Sequence, residues 1–211
     1  MSFLITRERP HGEKGEMNQN IFGISKKILL IFFFVLSVQS LYAESPMPSV
    51  PSVNPDKKET ETSGPPPQLP AANNDLGDAG FDWNVTPVGG KSIPFSSFKG
   101  KTIFLNFWAT WCGPCVYELP KIQRLYEKTK GKGVEIMVIS WEEPDRVRRY
   151  MENAHYTFPV YTFVRPAPAS YKSEGIPVTF IISPEGKVVH QHLDPDNWDH
   201  DVFVNWILSI K

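Results

Sequence analysis

The chain has 211 residues, and its 22 lysines and arginines nearly cancel its 23 aspartates and glutamates, leaving a formal net charge of −1. That balance provides no basic field to hold phosphates and argues against nucleic acid as a partner. Two cysteines are too few for a disulfide scaffold or a four-thiolate zinc site.

In chain order, Lys26 and Lys27 precede the apolar stretch "ILLIFFFVLSVQSLYA". Basic, apolar and small-residue regions in that order are the pattern of a secretory signal. The strictly apolar core is shorter than the roughly 18 to 20 residues of a spanning helix, which favours cleavage over a membrane anchor at residues 28–43. Residues 1–43 are therefore assigned as a signal peptide or N-terminal anchor, with translation starting at Met1 or Met17 and cleavage at Ser40, Ala43 or Ser45. Residues 44–80 are rich in proline, serine, threonine and charge, with "GPPPQLP" at their centre. Such a segment buries too little apolar surface to offset its ordering entropy and reads as a disordered linker. Residues 81–211 remain as one domain with one ordinary core.

Within that domain, "FDWNVTPVGGKSIPFSSFKGK" alternates short strand-like runs about a turn at Gly89 and Gly90, which predicts a hairpin. "KTIFLNFWA" is a continuous apolar run of strand length, expected where both faces are covered. A helix with Val116, Leu119, Ile122 and Tyr126 on one face follows Cys112 and stops at "KGKG", with Pro120 inside it. "VEIMVIS" predicts a second buried strand, and Val147, Tyr150, Met151 and Ala154 a second helix. "FPVYTF", "PVTFIIS" and "KVVHQHL" predict three more strands, and Phe203, Trp206, Ile207 and Ile210 a closing helix. The sum is an α/β domain, a mixed sheet with helices on both faces.

His190 and His192 alternate on one predicted strand. Two imidazoles without a third ligand read as surface residues, as do His155 and His200, and no metal or cofactor is expected. Arg146, Arg148 and Arg149 read as a solvated helix face.

The cysteines stand in "FWATWCGPC", at the junction of the first buried strand and its helix. A thiol attacks a disulfide only as the thiolate, and a free cysteine near pKa 8.5 is mostly protonated at neutral pH. At a helix N-terminus Cys112 meets the positive end of the helix dipole and unpaired N–H groups, which favour the thiolate. Cys115 follows one turn later and suits the resolving role. Pro114 fits the first turn, where its missing N–H would have had no partner. Two packed core cysteines, or half of a zinc site, are the alternatives; no second ligand pair accompanies them.

The segments "SSFKGKTIFLNFWATWCGPCVYELP" and "GIPVTFIISPEGKVV", with the order of elements around them, resemble the TlpA/ResA group of thioredoxin-like extracytoplasmic thiol-disulfide oxidoreductases. The resemblance covers essentially the whole of residues 81–211. It implies a thioredoxin-like fold, with Cys112 the exposed nucleophile and Cys115 the resolving thiol. It also implies a cis bond between Ile176 and Pro177 that faces the thiols, where the Ile176 backbone can pair with an extended substrate; from the residues alone, Pro177 could equally be a trans proline opening an edge strand. Cytoplasmic thioredoxin has an acidic residue where this chain has Asn106, and the TlpA/ResA pattern supplies a glutamate three residues after the second cysteine, matched by Glu118. At about 100° per residue Glu118 lies about 60° around the helix from Cys115, at the border of the apolar stripe, so a solvated flank is the competing reading. Trp111 is expected to shield the thiols and contact substrate, and the resemblance gives Glu142 a claim to the site.

A signal sequence and a Gly-Pro dithiol together point to an exported reductant. Gly-Pro resembles thioredoxin, near −270 mV, more than a strong oxidant near −120 mV. The implied partners are a membrane thiol protein that donates electrons and disulfides in exported proteins, among them the haem-binding cysteines of apocytochrome c. A general disulfide reductase or isomerase is the alternative, followed by a non-catalytic binding module on the same fold.

Overall fold

The computed structural model describes residues 64–67, 69, 75–163 and 167–210. The expected signal or anchor at residues 1–43 lies outside the described residues, as does most of the linker. No helix among the described residues is long and apolar enough to cross a membrane.

Seven strands among the described residues form one mixed sheet: β1 (Asn84–Pro87), β2 (Ile93–Pro94), β3 (Thr102–Phe107), β4 (Val134–Ser140), β5 (Val160–Thr162), β6 (Val178–Ile182) and β7 (Val188–Leu193), in the order β2-β1-β5-β4-β3-β6-β7. The predicted hairpin is β1 against β2, and β3 lies at the centre between parallel β4 and antiparallel β6. All six β3 residues are buried. Alternation divides them: Phe104 joins the cluster of the three α-helices, whereas Ile103, Leu105 and Phe107 point to the opposite core.

The α-helices among the described residues are α1 (Gly113–Thr129), α2 (Pro144–Ala154) and α3 (Asp201–Ser209). Each begins at a chemically suited residue: Cys112 caps α1 with Pro114 in the first turn, Pro144 opens α2, and His200 Nδ1 accepts from the Val202 N–H at 3.2 Å to cap α3. α1 ends before Gly131 and Gly133, whose φ values of 75° and 83° reverse the chain into β4. His155 closes α2 with φ of 57°.

The expectation of α-helices on both faces is corrected. Val116, Leu119 and Ile122 of α1, Val147 and Tyr150 of α2, and Phe203 and Ile207 of α3 all enter one cluster. The chain steps from β3 through α1 to β4 and from β4 through α2 to β5 in one direction across parallel neighbours, and right-handed crossovers place both helices on the same side. The other face is covered by the 3₁₀ turns Phe95–Phe98 and Ala169–Tyr171 and by rings such as Trp83, Phe95, Phe163 and Tyr171, which meet one another at centroid distances of 4.8 to 6.1 Å.

The folded part also starts earlier than Phe81. Leu76 N–H donates to Val188 O and Ala79 N–H to Gly186 O, both at 2.8 Å, and Val188 N–H returns to Gly77 O at 2.9 Å. Residues 75–80 thus cover part of the edge of β7, whose backbone groups would otherwise lack partners, and Lys187 pairs with Asp78 at 2.7 Å. Asn197 Nδ2 donates to Pro65 O at 2.9 Å.

Leu105 is fully buried at the sheet centre, while Val202 keeps 44 % of its surface. Leu105→Ala is expected to lower the stability of the oxidised protein by about 2 to 5 kcal/mol in urea unfolding, and Val202→Ala by about 0.5 kcal/mol or less.

Candidate active site

Strand β3 ends at Phe107, and the turn Trp108–Trp111 delivers Cys112 to the start of α1. Cys112 and Cys115 are joined by a disulfide, with a Cα separation of 5.3 Å. The Cys115 N–H donates to Cys112 Sγ at 3.2 Å, so one of the unpaired donors of the helix start faces this sulfur. Cys112 keeps 6 % of its surface and Cys115 none. The exposure expected of Cys112 is therefore narrow: Ile176 O lies 3.8 Å from its sulfur, and the large exposed surface beside it belongs to Trp111, 57 % exposed. With the sulfur in a disulfide, that 3.8 Å approach is a contact; in the dithiol the same carbonyl can accept from the S–H.

The Ile176–Pro177 peptide is cis. Beside it a cavity of about 670 Å³ opens between Trp111, Trp141, Phe163, Tyr171, Ile176 and Val178. Its walls are mostly aromatic and aliphatic, a surface that favours apolar contact with whatever chain brings a disulfide to Cys112.

Glu118 is fully buried, not on a solvated flank. Its Oε1 accepts from Asn106 Nδ2 at 2.7 Å and its Oε2 from Trp198 Nε1 at 2.8 Å. Asn106 stands on β3 opposite Thr179 of β6 and donates to Thr179 Oγ1 at 3.0 Å. Burial pushes the Glu118 carboxyl up to about 7, against the opposing pull of the Trp198 and Asn106 hydrogen bonds, a bond from the Asp196 backbone and the charge of Lys121. Desolvation wins, and the group is poised to exchange a proton near neutral pH one helical turn beyond Cys115.

Trp198 and Thr179 carry no signal in the sequence. Trp198 sits in the non-periodic stretch "DPDNWDH" yet is fully buried, with its ring edge-on to Phe104, Phe203 and His192 at 5.3, 4.9 and 5.4 Å. The surface reading of the histidine pair is likewise corrected. His190 is 8 % exposed, stacked on His192 and edge-on to Trp206 at 5.7 Å, and burial first, then the neighbouring His192, lowers its pKa to about 4. His192 Nε2 faces Asp196 Oδ2 at 3.4 Å. No cluster of three metal-ligating side chains occurs among the described residues.

The helix-face reading of the arginines holds for Arg148, which pairs on the surface with Asp145 and Glu152. Arg146 is also solvated, its side chain 44 % exposed, and in addition its Nε donates to Thr110 Oγ1 at 2.9 Å and lies 3.0 Å from Glu142 Oε1. Trp108 and Phe107 are core.

Comparison with known proteins agrees with this arrangement. The model of the AhpC/TSA family matches residues 76–191. A thiol-disulfide oxidoreductase ResA of Bacillus thuringiensis subsp. konkukian is 37 % identical over 121 residues, which are 56 % of this chain and 69 % of the relative. The ResA protein of Bacillus subtilis is 42 % identical over 102 residues, 47 % of this chain and 57 % of the relative. The crystal structure of a thiol:disulfide interchange protein of the thioredoxin family from Chlorobium tepidum superposes with a TM-score of 0.52 at 27 % identity, over 64 % of this chain and 99 % of that one. With a Cys-Gly-Pro-Cys pair at the head of α1 on a seven-stranded mixed sheet, the chain belongs to the AhpC/TSA family and is a thioredoxin-like thiol-disulfide oxidoreductase of the ResA group.

Proposed function

We propose that this protein works outside the cytoplasm as a reductant, passing electrons from a membrane thiol donor to disulfides of exported proteins, the haem-binding Cys-X-X-Cys-His segments of apocytochromes c among them. The basic, apolar and small-residue order of residues 26–43 supports export, with the N-terminal segment either cleaved or kept as an anchor. Similarity to ResA proteins supports the reaction. The observation that carries the reading is the Cys112–Cys115 disulfide at the helix start with Glu118 buried one turn below it.

The reaction runs in two exchanges. The Cys112 thiolate attacks one sulfur of the substrate disulfide, forming a mixed disulfide and releasing the other substrate sulfur as a thiolate that takes up a proton. Trp111, Ile176 and Pro177 border this step and contact the substrate chain. Cys115 then gives up its proton, attacks Cys112 Sγ and expels the second substrate thiolate, leaving the internal disulfide; two electrons have passed to the substrate. Cys115 is fully buried, where a thiol resists ionisation, and Asn106 cannot take its proton. Glu118, with its pKa near 7, takes that proton.

Cys115→Ser is expected to accumulate mixed disulfides with oxidised Cys-X-X-Cys-His substrates and Cys112→Ser to form none, as read on non-reducing gels. Equilibration with glutathione should give a potential nearer about −270 mV than −120 mV; the higher value would make the protein an oxidant and overturn the proposed direction.

Glu118→Gln should slow the resolving exchange by roughly 10 to 100 fold while affecting the first attack much less, resolved by stopped-flow reduction of a model disulfide. A stability signature accompanies it. Folding raises the Glu118 carboxyl from 4.5 to about 7, so between those values the folded chain holds a proton that the unfolded chain has released. Stability falls as pH rises through this window, by ~3 kcal/mol in total, and the loss is complete above it. His190 acts oppositely: its pKa drops from 6.5 to about 4 on folding, so stability rises with pH between those values. The two slopes oppose each other in the wild-type protein. Urea unfolding of the oxidised proteins should therefore show Glu118→Gln gaining on wild type steadily from about pH 5 to 7 and holding a constant difference above.

A further inference from the structure

We infer that Glu142 is a positioning residue of the exchange site, holding with Thr110 and Arg146 the turn before Cys112 so that Trp111 and Trp141 stand as fixed walls of the substrate cleft. This rests on the proposed reduction of a polypeptide disulfide at Cys112. Thr110 is fully buried, so water reaches neither its N–H nor its hydroxyl. Glu142 Oε2 accepts from the Thr110 N–H at 2.7 Å, and Glu142 Oε1 accepts from the Thr110 hydroxyl at 2.9 Å. The hydroxyl in turn accepts from Arg146 Nε at 2.9 Å.

The carboxylate is itself held from both sides of its chain. Ser140 Oγ donates to Glu142 Oε2 at 3.2 Å and accepts from the Glu142 N–H at 3.1 Å, and Arg146 Nε sits 3.0 Å from Oε1. Only 8 % of the Glu142 side chain is exposed. Charged, bidentate hydrogen bonding of this kind fixes geometry as well as contributing attraction. A second tie, from the Trp108 N–H to Ile139 O at 3.1 Å, anchors the start of the same turn on β4.

What the clamp joins gives it a functional reading. Thr110 is followed by Trp111 and then Cys112, and Glu142 is preceded by Trp141. The two tryptophans line the same cavity beside Ile176. A link between residues 110 and 142 therefore sets the spacing of two cleft walls and the approach of a substrate chain to the nucleophilic sulfur. A small disulfide, which makes few contacts with those walls, depends on this spacing far less than a peptide does.

The test compares two probes on the reduced full-length protein: a synthetic peptide with an oxidised Cys-X-X-Cys-His segment, and the small disulfide dithiobis-nitrobenzoate. Glu142→Ala is expected to raise the KM for the peptide roughly tenfold and to lower kcat less than about threefold, with the small disulfide also slowed less than about threefold. Thr110→Val should reproduce the KM rise, and Thr110→Ser, which keeps the hydroxyl, should bring KM back to within about twofold of wild type. Equal losses on both probes, or an unmoved KM, would overturn the inference. If Glu142→Ala loses its cooperative thermal transition, the Thr110→Val and Thr110→Ser pair decides it. A wild-type protein that reduces the small disulfide but not the peptide would overturn the proposed function and this inference together, whereas an active wild type with unmoved variants overturns the inference alone.

Discussion

A carboxylate without water has to be held by something, and here the Glu118 side chain is held by the Asn106 amide on the central strand and the Trp198 indole on the loop before α3. Two consecutive elements, β3 and α1, and a loop 80 residues further on meet at this one group. The helix that begins at Cys112 is thereby tied to the sheet beneath it and to the C-terminal loop beside it, and the sulfur pair sits on a helix held firmly at that level. Burial costs the charged form heavily, the two hydrogen bonds return part of that cost, and the balance leaves a carboxyl that changes charge near neutral pH. Either term alone would give a group that does not change charge near neutral pH: unopposed desolvation would keep it protonated, and full hydrogen bonding in a wet site would keep it ionised.

The sheet separates this buried carboxyl from the aromatic cavity beside Cys112. On the helix face, β3 contributes Asn106 beneath the thiols; on the other face, Phe107 lies among Trp83, Phe163, Tyr171 and Phe180. Those rings continue into the cavity bordered by Trp111 and Ile176. The proposed proton acceptor thus lies in the dry interior and the proposed substrate cleft at the aromatic edge, with the Cys112 sulfur between them. The alternation of one strand, residue by residue, makes this division possible.

Much of this was legible in the residues. The apolar runs gave the buried strands, the 3.6-residue spacing gave the helices, and Cys-Gly-Pro-Cys at a strand-to-helix junction pointed to thiol exchange. Glu118 stands out by its match to the TlpA/ResA pattern; helical spacing alone places it at the edge of a stripe and cannot say that Trp198 closes over it. Arg146 is one of three solvated cations, but helical periodicity describes one helix and is silent about its bond to a buried threonine hydroxyl in a turn 36 residues away. His190 looked exposed because alternation alone does not reveal that Trp206 packs against it. Residues 75–80 read as linker because their composition is polar and glycine-rich; what fixes them is backbone pairing to β7, to which side-chain identity contributes little.

The sequence by itself determined what depends on neighbours along the chain: the strands and helices, the placing of a cysteine pair at a helix start, and the proline and glycine punctuation around it. Tertiary structure alone decided what depends on neighbours across space. It put the three described α-helices on one face, because crossovers between parallel strands have a fixed hand, and it raised the Glu118 pKa, because desolvation is a property of everything packed around a group. It also joined Thr110 to Glu142 and Arg146, a contact of loops whose separation in sequence leaves no periodic trace.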